Sequence, residues 1–254
     1  MASYVITGTS KGIGLELVKQ LLELPASQVA KIFAITRNNS SEGLNSLISS
    51  NSGRVVNVIA EVQKEDSLTK AAKEVESHLG GAGLDVLVNN AGVLPWDDKQ
   101  MENVSSEVLH EVFDVNVVSV NRVTKAFLPL LEKGKKKQVF NISSTLGSIA
   151  RVRDWPPSAA HSYRISKAAL SMLNQFYAHE KEEQGFTFLL ITPGWLKTDL
   201  GSSYADLEPA VGVKEVLRIM NEATPEQNGQ FLNIHVPGWE EKHPAYYNGK
   251  GVPW

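Results

Sequence analysis

The architecture is set near the start of the chain, by Tyr4-Val5-Ile6-Thr7-Gly8-Thr9-Ser10-Lys11-Gly12-Ile13-Gly14. A short β-rich run passes here through a glycine-rich turn into an apolar-periodic segment that Pro25 stops. Glycines permit a tight turn, let the backbone approach a pyrophosphate, and allow the helix to pack closely on the strand. The free N–H groups of a helix N-terminus favour an anion. A plain turn is the alternative, but the position between first strand and first helix favours nucleotide binding.

Strand and helix patterns alternate along the rest of the chain. Apolar runs predict strands at 4–7, 29–36, 55–60, 84–88, 138–142, 186–192 and 231–234. Helical periodicity predicts helices at 12–24, 40–50, 65–79, 105–131 (two helices), 162–183 and 213–222. Strands that are apolar on both faces indicate a parallel sheet covered by helices on both sides. The expected fold is α/β and Rossmann-type: a doubly wound, mostly parallel seven-stranded sheet in one domain over residues 1–254, with ligands at the carboxyl edge.

Composition excludes several classes of function. The 254 residues are 42% hydrophobic with a net charge of −3, and basic residues are scattered among acidic ones, so no nucleic-acid partner is expected. Because the chain has no cysteine, disulfides, thiol catalysis and cysteine-ligated metals are excluded, and we expect no metal. The N-terminus runs directly into a strand, without a leader or a long apolar span, so we expect a cytoplasmic protein without a membrane partner.

A second stretch carries the chemistry: Ser162-Tyr163-Arg164-Ile165-Ser166-Lys167-Ala168-Ala169-Leu170. Tyr163 and Lys167 are four residues apart on a predicted helix, so their side chains lie on one face. An ammonium group beside a phenol lowers the pKa of the phenol, which then protonates a developing alkoxide without a metal. Tyr-x-x-x-Lys also occurs by chance on solvated helix faces, so the pair depends on support from the rest of the chain.

The end of the second predicted strand bears on the cofactor. A ribose 2′-hydroxyl is usually held there by a carboxylate, whereas a 2′-phosphate requires a cation. Arg37 follows this strand, no acid occurs before Glu42, and Lys11 lies in the glycine turn. These cations favour NADP over NAD, although both could be ordinary exposed side chains. Glu61, after the third strand, is placed for an adenine contact.

Three more strand ends carry small or polar residues at the same edge of the sheet. Asn89-Asn90-Ala91-Gly92 follows the fourth strand, and its small residues suit close contact with a cofactor. Ser143-Ser144 follows the fifth strand and offers a hydroxyl to a substrate carbonyl, although serines at strand ends often bond only their own turn. Pro193-Gly194-Trp195-Leu196-Lys197-Thr198-Asp199 follows the sixth strand, and Thr198 is a candidate contact for a nicotinamide carboxamide.

Taken in order, these motifs resemble the short-chain dehydrogenase/reductase family, in its single-domain branch, over residues 5–200. Each motif is weak alone, but the ordered set is specific. More narrowly, segments 22–25, 144–149 and 194–199, together with the final Val252-Pro253-Trp254, resemble sniffer-type carbonyl reductases and fungal ketoreductases.

The resemblance implies roles for individual residues. Tyr163 is the expected general acid, and Lys167 is expected to lower its pKa and bond the nicotinamide ribose. Ser144 matches the serine that orients the substrate, and Asn116 matches the asparagine that anchors a water in the proton relay. The cofactor-binding residues expected are Gly8, Ser10, Lys11, Gly12, Ile13, Gly14, Arg37, Glu61, Val62, Asn90, Ala91, Gly92, Tyr163, Lys167, Pro193, Gly194, Leu196 and Thr198. The substrate-side candidates are Leu94, Trp96, Trp155 and Trp195, although each tryptophan could equally be simple packing.

The chain also departs from the family pattern. The interval between Ser144 and Tyr163 is longer than usual, which affects the geometry of the pocket mouth. Glu61-Val62 stands where an aspartate followed by an apolar residue is more common. The segment 235–254 carries several aromatic residues that either line the pocket or pack as a surface tail.

These observations predict an NADPH-dependent reductase of a ketone, aldehyde or quinone carbonyl, with an aromatic or polyketide-like substrate as one possibility. A cofactor-binding sensor or signalling protein with little catalysis is the main alternative, since fold does not fix function. An isomerase or dehydratase on the same scaffold usually needs additional substrate-binding sequence. The resemblance further implies a homodimer or homotetramer that pairs through helices at about 116–132 and 160–183.

Overall fold

Seven strands form one sheet in the computed structural model, which describes residues 1–95, 97, 100–155 and 160–254. The strands are β1 (Ala2–Thr7), β2 (Val29–Thr36), β3 (Val55–Ile59), β4 (Val86–Asn89), β5 (Gln138–Ile142), β6 (Thr187–Thr192) and β7 (Phe231–Asn233). Their order is β3-β2-β1-β4-β5-β6-β7, and all six pairings between neighbours are parallel. The predicted doubly wound α/β sheet is confirmed, and its main ladder is parallel throughout.

Helices cover both faces of this sheet. They are α1 (Gly12–Glu23), α2 (Glu42–Ser50), α3 (Glu65–Leu79), α4 (Ser106–Phe113), α5 (Ser119–Glu132), α6 (His161–Lys181) and α7 (Pro209–Glu222). Apolar residues of α1 and α7 pack on one face of the sheet, whereas those of α3 and α5 pack on the other. Burial on both faces explains why the strands are continuous apolar runs rather than alternating ones.

Some element boundaries differ from the sequence prediction for physical reasons. The fourth strand begins at Val86 instead of residue 84, because the Asp85 carboxylate accepts the N–H groups of Ser3 and Lys135 at 2.9 and 3.0 Å. The last helix begins at Pro209 instead of Val213, since proline at the first helical turn lacks only an N–H that would be unpaired there. Between α4 and α5 the chain forms a π-helical segment, Asp114–Val118, which the sequence analysis missed.

The order of the strands positions the functional edge. From β1 the chain adds β2 and β3 on one side of the sheet, and then returns to place β4 on the other side of β1. Connections that leave neighbouring strands in opposite directions open a crevice at the carboxyl ends of those strands, where ligands bind in folds of this kind. The turns that follow β1, β4 and β5 meet at this crevice.

The segment after β7 folds back on the sheet. Isolated antiparallel bridges pair Leu232 with Gly251 and His235 with Asn248. The side chain of Tyr247 is fully buried. Of the two roles that the sequence left open for this segment, packing against the body of the protein is therefore observed. None of the helices in the described ranges has the length and apolarity needed to cross a bilayer.

Candidate active site

The turn after β1 is shaped by its glycines. Gly8 and Gly12 have φ angles of +71° and +57°, in the left-handed region that glycine adopts without strain. Gly14 has no such angle, but a β-carbon there would lie 2.3 Å from the Gly8 carbonyl oxygen. The three glycines therefore serve two needs, since two allow the turn and the third lets α1 lie against it.

Asn90 and Thr7 lock this turn to β4. The Asn90 side-chain amide donates to the carbonyl oxygens of Thr7 and Gly8 at 2.8 and 3.2 Å. The Thr7 hydroxyl accepts the backbone N–H groups of Asn90 and Ala91, each at 3.0 Å. In this structure the Asn90 amide holds the glycine turn, and its predicted contact with the cofactor stays a prediction. The role of Thr7 was missed, because a threonine at a strand end is no signal by itself.

The N-terminus of α1 is suited to an anion. Its N-cap, Lys11, has no side-chain capping bond, and the first turn contains no acidic residue. Ser10 is exposed and Ile13 half-buried, so both flank an open turn. Unpaired N–H groups and the positive end of the helix dipole favour a phosphate group at such a position. The cradle that the glycines leave, together with this helix end, fits a dinucleotide pyrophosphate.

The two cations expected at the adenine ribose are not equivalent. Lys11 Nζ lies 2.6 Å from Asp199 Oδ2, which lies on the loop after β6. Arg37 is exposed at the end of β2 and makes no ion pair with the residues described. The expectation of two free, converging cations is therefore corrected, because Asp199 neutralises one of them. With both partners of the Lys11–Asp199 pair more than 70% exposed, water screens their attraction and the pair separates readily.

The residues after β3 and β4 have mixed environments. The Glu61 carboxylate pairs with Lys64 Nζ at 2.8 Å and is exposed. Val62 is half-buried against the core between the sheet, α3 and α5. Ala91 packs under the glycine turn, since a β-carbon at Gly8 would lie 2.9 Å from the Ala91 α-carbon. Gly92 is exposed beside the Asn116 amide oxygen, which lies 3.2 Å from the position of a β-carbon at Gly92.

Tyr163, Ser144 and Lys167 meet at the carboxyl end of β5. Tyr163 and Lys167 lie on α6 and are 8% and 6% exposed, and Lys167 Nζ is 5.5 Å from the centre of the Tyr163 ring. The ammonium group donates to the Ile142 carbonyl oxygen at 2.8 Å, so it is held against the end of β5. A β-carbon at Gly147 would lie 2.7 Å from the Lys167 β-carbon, so glycine at this position lets the Ser144 turn approach α6.

Burial dominates the pKa values of this pair. Desolvation raises the pKa of Tyr163 to about 12, opposed by its hydrogen bond with Ser144, which lowers it. Desolvation also lowers the pKa of Lys167 to about 8. The net shift of the Tyr163 pKa is upward, because the effect of removal from water exceeds that of Ser144. The expected lowering of this pKa by Lys167 stays a prediction. Tyr163 is therefore a protonated phenol at neutral pH.

Asn116 lies in the π-helical segment and is fully buried. Its amide oxygen accepts the Val93 N–H, and its amide nitrogen donates to the Val93 carbonyl and to Ser166 Oγ, at 2.9, 2.9 and 3.0 Å. π-Bulges are frequent at functional sites, where they redirect a residue out of the regular helical register. The side chain expected to anchor a water is thus occupied in joining the loop after β4 to α6.

The loop after β6 packs beside the glycine turn. Pro193 and Leu196 are buried, and a β-carbon at Gly12 would lie 3.6 Å from the Thr198 methyl group. Gly194 has a φ of +87°, and a β-carbon there would lie 2.9 Å from the Tyr247 ring. The Thr198 hydroxyl accepts the Gly201 N–H at 3.1 Å, so it closes its own turn. The structure brings this loop to the crevice, with the Thr198 hydroxyl engaged locally.

The substrate-side candidates that the structure describes have different surroundings. Leu94 is half-buried on the loop after β4. Trp155 packs against the core that includes α1 and α7, and its buried indole nitrogen has no hydrogen-bond partner among the described residues. Trp195 is 39% exposed and donates to the Gly201 carbonyl at 2.6 Å. Trp96 lies outside the described residues. In the part of the chain that the structure describes, no cluster of histidine and acidic residues could hold a metal.

Tyr247 is one of the aromatic residues of the segment 235–254, for which the sequence left open a role in the pocket or in packing. Its hydroxyl accepts the Trp195 N–H at 3.3 Å and donates to the Asp206 carboxylate at 2.7 Å. Burial, together with the Asp206 carboxylate, raises the pKa of Tyr247. The aromatic residues of the segment 235–254 indicated that it packs, but no pattern in the sequence indicated that Tyr247 contacts the loop after β6.

Comparison with known proteins agrees with this arrangement. The family model for short chain dehydrogenases matches residues 3–208. The carbonyl reductase Sniffer of D. melanogaster is 30% identical, with a TM-score of 0.88 and full coverage of both chains. The NADPH-bound carbonyl reductase from chicken fatty liver is 32% identical, with a TM-score of 0.86 and coverage of 100% of this chain and 99% of that one.

Curated relatives include proteins with different descriptions. The short-chain dehydrogenase/reductase AacuF of Aspergillus aculeatus is 35% identical over 82% of this chain and 79% of its own length. The C-signal protein of Myxococcus xanthus is 34% identical over 67% of this chain and 93% of its own length. The predicted resemblance to sniffer-type carbonyl reductases and fungal short-chain dehydrogenases is confirmed. The chain belongs to the short-chain dehydrogenase family of oxidoreductases.

Proposed function

We propose that this protein is an NADPH-dependent reductase that converts a ketone, aldehyde or quinone carbonyl to an alcohol, with Tyr163 as the general acid. One observation carries the proposal: the buried Tyr163 phenol, next to Ser144 and flanked by Lys167, lies at the same edge of the sheet as the glycine turn whose open helix end suits an anion. The similarity to two carbonyl reductases, one of them NADPH-bound, supports the choice of reaction and cofactor.

The cofactor would be held by groups already described. The glycine turn and the open end of α1 would hold the pyrophosphate, and Arg37 would reach the ribose 2′-phosphate. Lys11 would join Arg37 by leaving Asp199, a small cost for an exposed ion pair. Lys167 would hydrogen-bond the nicotinamide ribose, because its ammonium lies at the end of β5. When bound, NADPH supplies the hydride that reduces the carbonyl carbon.

The side chains then handle the proton and the orientation. Ser144 would donate a hydrogen bond to the carbonyl oxygen and hold it near the phenol. Tyr163 would give its proton to that oxygen as negative charge develops, since burial keeps the phenol protonated. Lys167 would stabilise the phenolate that remains until a proton returns from solvent. Loss of the proton is unfavourable for an isolated buried phenol, so the neighbouring ammonium matters most at this step.

The test is the loss of NADPH absorbance with a panel of aromatic ketones, quinones and aldehydes, repeated with NADH. We expect turnover that prefers NADPH, and a decrease of about 10²- to 10⁴-fold in Tyr163→Phe, which removes only the acid. Tyr204→Phe is the matched control, because it removes the same hydroxyl from a side chain that is 86% exposed to solvent. Equal loss in both variants, or a preference for NADH, would contradict the proposal.

The alternative function is an NADP(H)-binding sensor or signalling protein. The similarity to a protein named C-signal supports this alternative. The same panel separates the two functions. Tight NADPH binding by fluorescence, without reduction of any carbonyl compound, would support the sensor. Turnover that Tyr163→Phe abolishes while NADPH binding is retained would support the enzyme.

We further propose that residues 1–254 form one domain and that two copies associate through α5 and α6, the helices that the resemblance implies. Exposed apolar side chains on α6, with one at the end of the neighbouring α4, support this face. Ile165, Met172 and Phe176 of α6 are 44%, 60% and 59% exposed, and Phe113 of α4 is 41% exposed. Large apolar side chains grouped on one face of a monomer are a common sign of a protein interface. The expected homodimer or homotetramer would cover them.

A further inference from the structure

The start of α6 is capped by a residue from another part of the chain. The N-cap position is Ala160, which has no side-chain acceptor. Instead, the Asp97 carboxylate accepts the N–H groups of His161 and Ser162 at 2.9 and 2.8 Å, and the Ser162 hydroxyl at 2.5 Å. A carboxylate suits this position because it accepts several bonds and carries negative charge at the positive end of the helix dipole.

The loop that carries Asp97 is joined to α6 at a second point. Val93, at the start of this loop, exchanges two hydrogen bonds with Asn116, which donates in turn to Ser166 Oγ. Ser166 then donates to the Tyr163 carbonyl oxygen at 2.7 Å. The two connections reach α6 on either side of Tyr163 in sequence, at 161–162 and at 166. The loop and the first turns of the helix are therefore held as one unit around the phenol.

We propose that Asp97 is a positioning residue for Tyr163: by accepting hydrogen bonds from the first turn of α6, it fixes the phenol relative to Asp97 and Val93, which follow β4. The inference rests on the proposed function, since it assigns the phenol the role of acid. Asp97 touches neither substrate nor cofactor in this role. Reduction depends on the placement of the acid, and a displacement of about 1 Å costs about 100-fold in rate when reacting groups are misaligned.

The first test compares Asp97→Ala and Asp97→Asn with the wild type. Asp97→Ala removes every acceptor, and we expect kcat to fall by about 10- to 100-fold with the affinity for NADPH unchanged. Asparagine keeps one neutral oxygen, so Asp97→Asn is expected to recover part of the lost turnover. An Asp97→Ala enzyme with wild-type kcat, or one in which only NADPH affinity is lost, would overturn the proposal.

A second variant separates positioning from simple helix stability. Ala160→Ser adds a local N-cap hydroxyl to the Asp97→Ala background without restoring the connection to the loop. We expect the double variant to regain thermal stability while kcat stays low. Recovery of both quantities would mean that Asp97 acts only as a helix cap, and the proposal would fail.

Amide hydrogen exchange provides a readout independent of turnover. In Asp97→Ala, peptides covering 92–97 and 160–166 should both exchange faster than in the wild type, and the local cap should slow only the second. If the wild type reduces no substrate but exchange changes in this way, the connection stands and the proposed function fails. If the wild type turns over but neither kcat nor exchange responds to Asp97→Ala, the inference fails alone.

Discussion

The burial of Lys167 has consequences for the pH dependence of catalysis. Its pKa of about 8 means that the free enzyme loses this charge above that pH, whereas Tyr163, with a pKa of about 12, stays protonated. Because the proposed mechanism uses the ammonium, we expect kcat/KM to fall as pH rises through about 8. The profile of kcat/KM against pH measures this directly. An active Lys167→Arg variant should show the decrease in kcat/KM at a higher pH. If the decrease occurs at the same pH as in the wild type, a group other than Lys167 causes it.

The same burial predicts a pH-dependent difference in stability. Below pH 8 the folded protein holds a buried ammonium, which costs free energy relative to the solvated unfolded chain. Between the folded pKa of about 8 and the ordinary value of 10.5, the unfolded state binds more protons, so the wild type gains stability as pH rises. Lys167→Met lacks this titration. We therefore compare the free energies of unfolding of the wild type and Lys167→Met, measured in urea without cofactor. The value for the wild type minus that for the variant should rise by on the order of 1–3 kcal/mol between pH 7 and 10. If this difference stays constant with pH, the lysine is not a buried charge.

Gly14 is required for close packing rather than for backbone freedom. In Gly14→Ala the new β-carbon would lie 2.3 Å from the Gly8 carbonyl and 2.6 Å from the Asn90 amide. We expect a loss of about 3 kcal/mol or more in the free energy of unfolding, with loss of NADPH binding. Gly251→Ala is the matched control, because its β-carbon would meet nothing closer than 3.8 Å and its φ is not positive. Thermal unfolding and NADPH fluorescence would compare the two, and equal effects would refute the packing argument.

At the scale of elements, the C-terminal tail (residues 235–254) stabilises the loop after β6 through hydrogen bonds. Tyr247 holds the Trp195 N–H and the Asp206 carboxylate on that loop. Tyr247→Phe leaves both without this partner, so we expect a loss of about 1–3 kcal/mol in the free energy of unfolding. A higher KM for the carbonyl substrate should accompany it, because Trp195 is a substrate-side candidate. Urea unfolding and steady-state kinetics test this, with the exposed Tyr204→Phe as control. If Tyr247→Phe has the same KM as the control, the tail does not support the substrate pocket.

The tail also braces the unusually long interval between Ser144 and Tyr163. Ala150 donates its N–H to the Trp254 carbonyl at 2.8 Å, and Arg151 donates to the Pro244 carbonyl while its guanidinium lies 4.9 Å from the centre of the Tyr246 ring. The loops after β5 and after β6 thus share one support. The sequence allowed two interpretations of the segment 235–254, pocket lining or packing as a tail. It contains no periodic pattern that distinguishes the two.

Element prediction succeeded where periodicity is strong. The second and fifth strands and the helix Glu65–Leu79 were predicted to the residue, because each is a long run with one clear pattern. The π-helical segment was missed, because one extra residue per turn leaves the apolar pattern on both sides intact. The start of β4 depends on the Asp85 carboxylate, whose partners lie 82 and 50 residues away.

The site was predictable in its location more than in its contacts. Glycine turn, serine, tyrosine and lysine follow strand ends, and a parallel sheet brings such ends together whatever the loops do. The Lys11–Asp199 pair joins residues 188 apart, and the rotation of the Asn90 amide toward Thr7 depends on the shape of the turn. Contacts of that kind are set by loop conformation, which no local pattern in the sequence encodes.

At the scale of the whole molecule, the exposed face of α6 predicts self-association. Met172→Glu combined with Phe176→Glu places two charges on side chains that are 60% and 59% exposed, so the isolated fold should tolerate them. We expect light scattering to give a dimeric or tetrameric mass for the wild type and a monomeric mass for the double variant, with thermal stability of the monomer fold preserved. A monomeric wild type would refute the assembly.

The order of the strands also fixes a sequence of events during synthesis. The pairings of β1 with β2 and of β2 with β3 use only residues up to Ile59, whereas β1 meets β4 through Tyr4–Val86, Val5–Leu87 and Ile6–Val88. Local pairings have smaller loop-closure costs than distant ones, so we expect pairing among the first three strands to precede that of β1 with β4. Until then one edge of β1 has unpaired backbone N–H and C=O groups. The cofactor crevice comes into existence only when that edge is closed, so a ligand that binds there stabilises the state in which the β1 edge is covered.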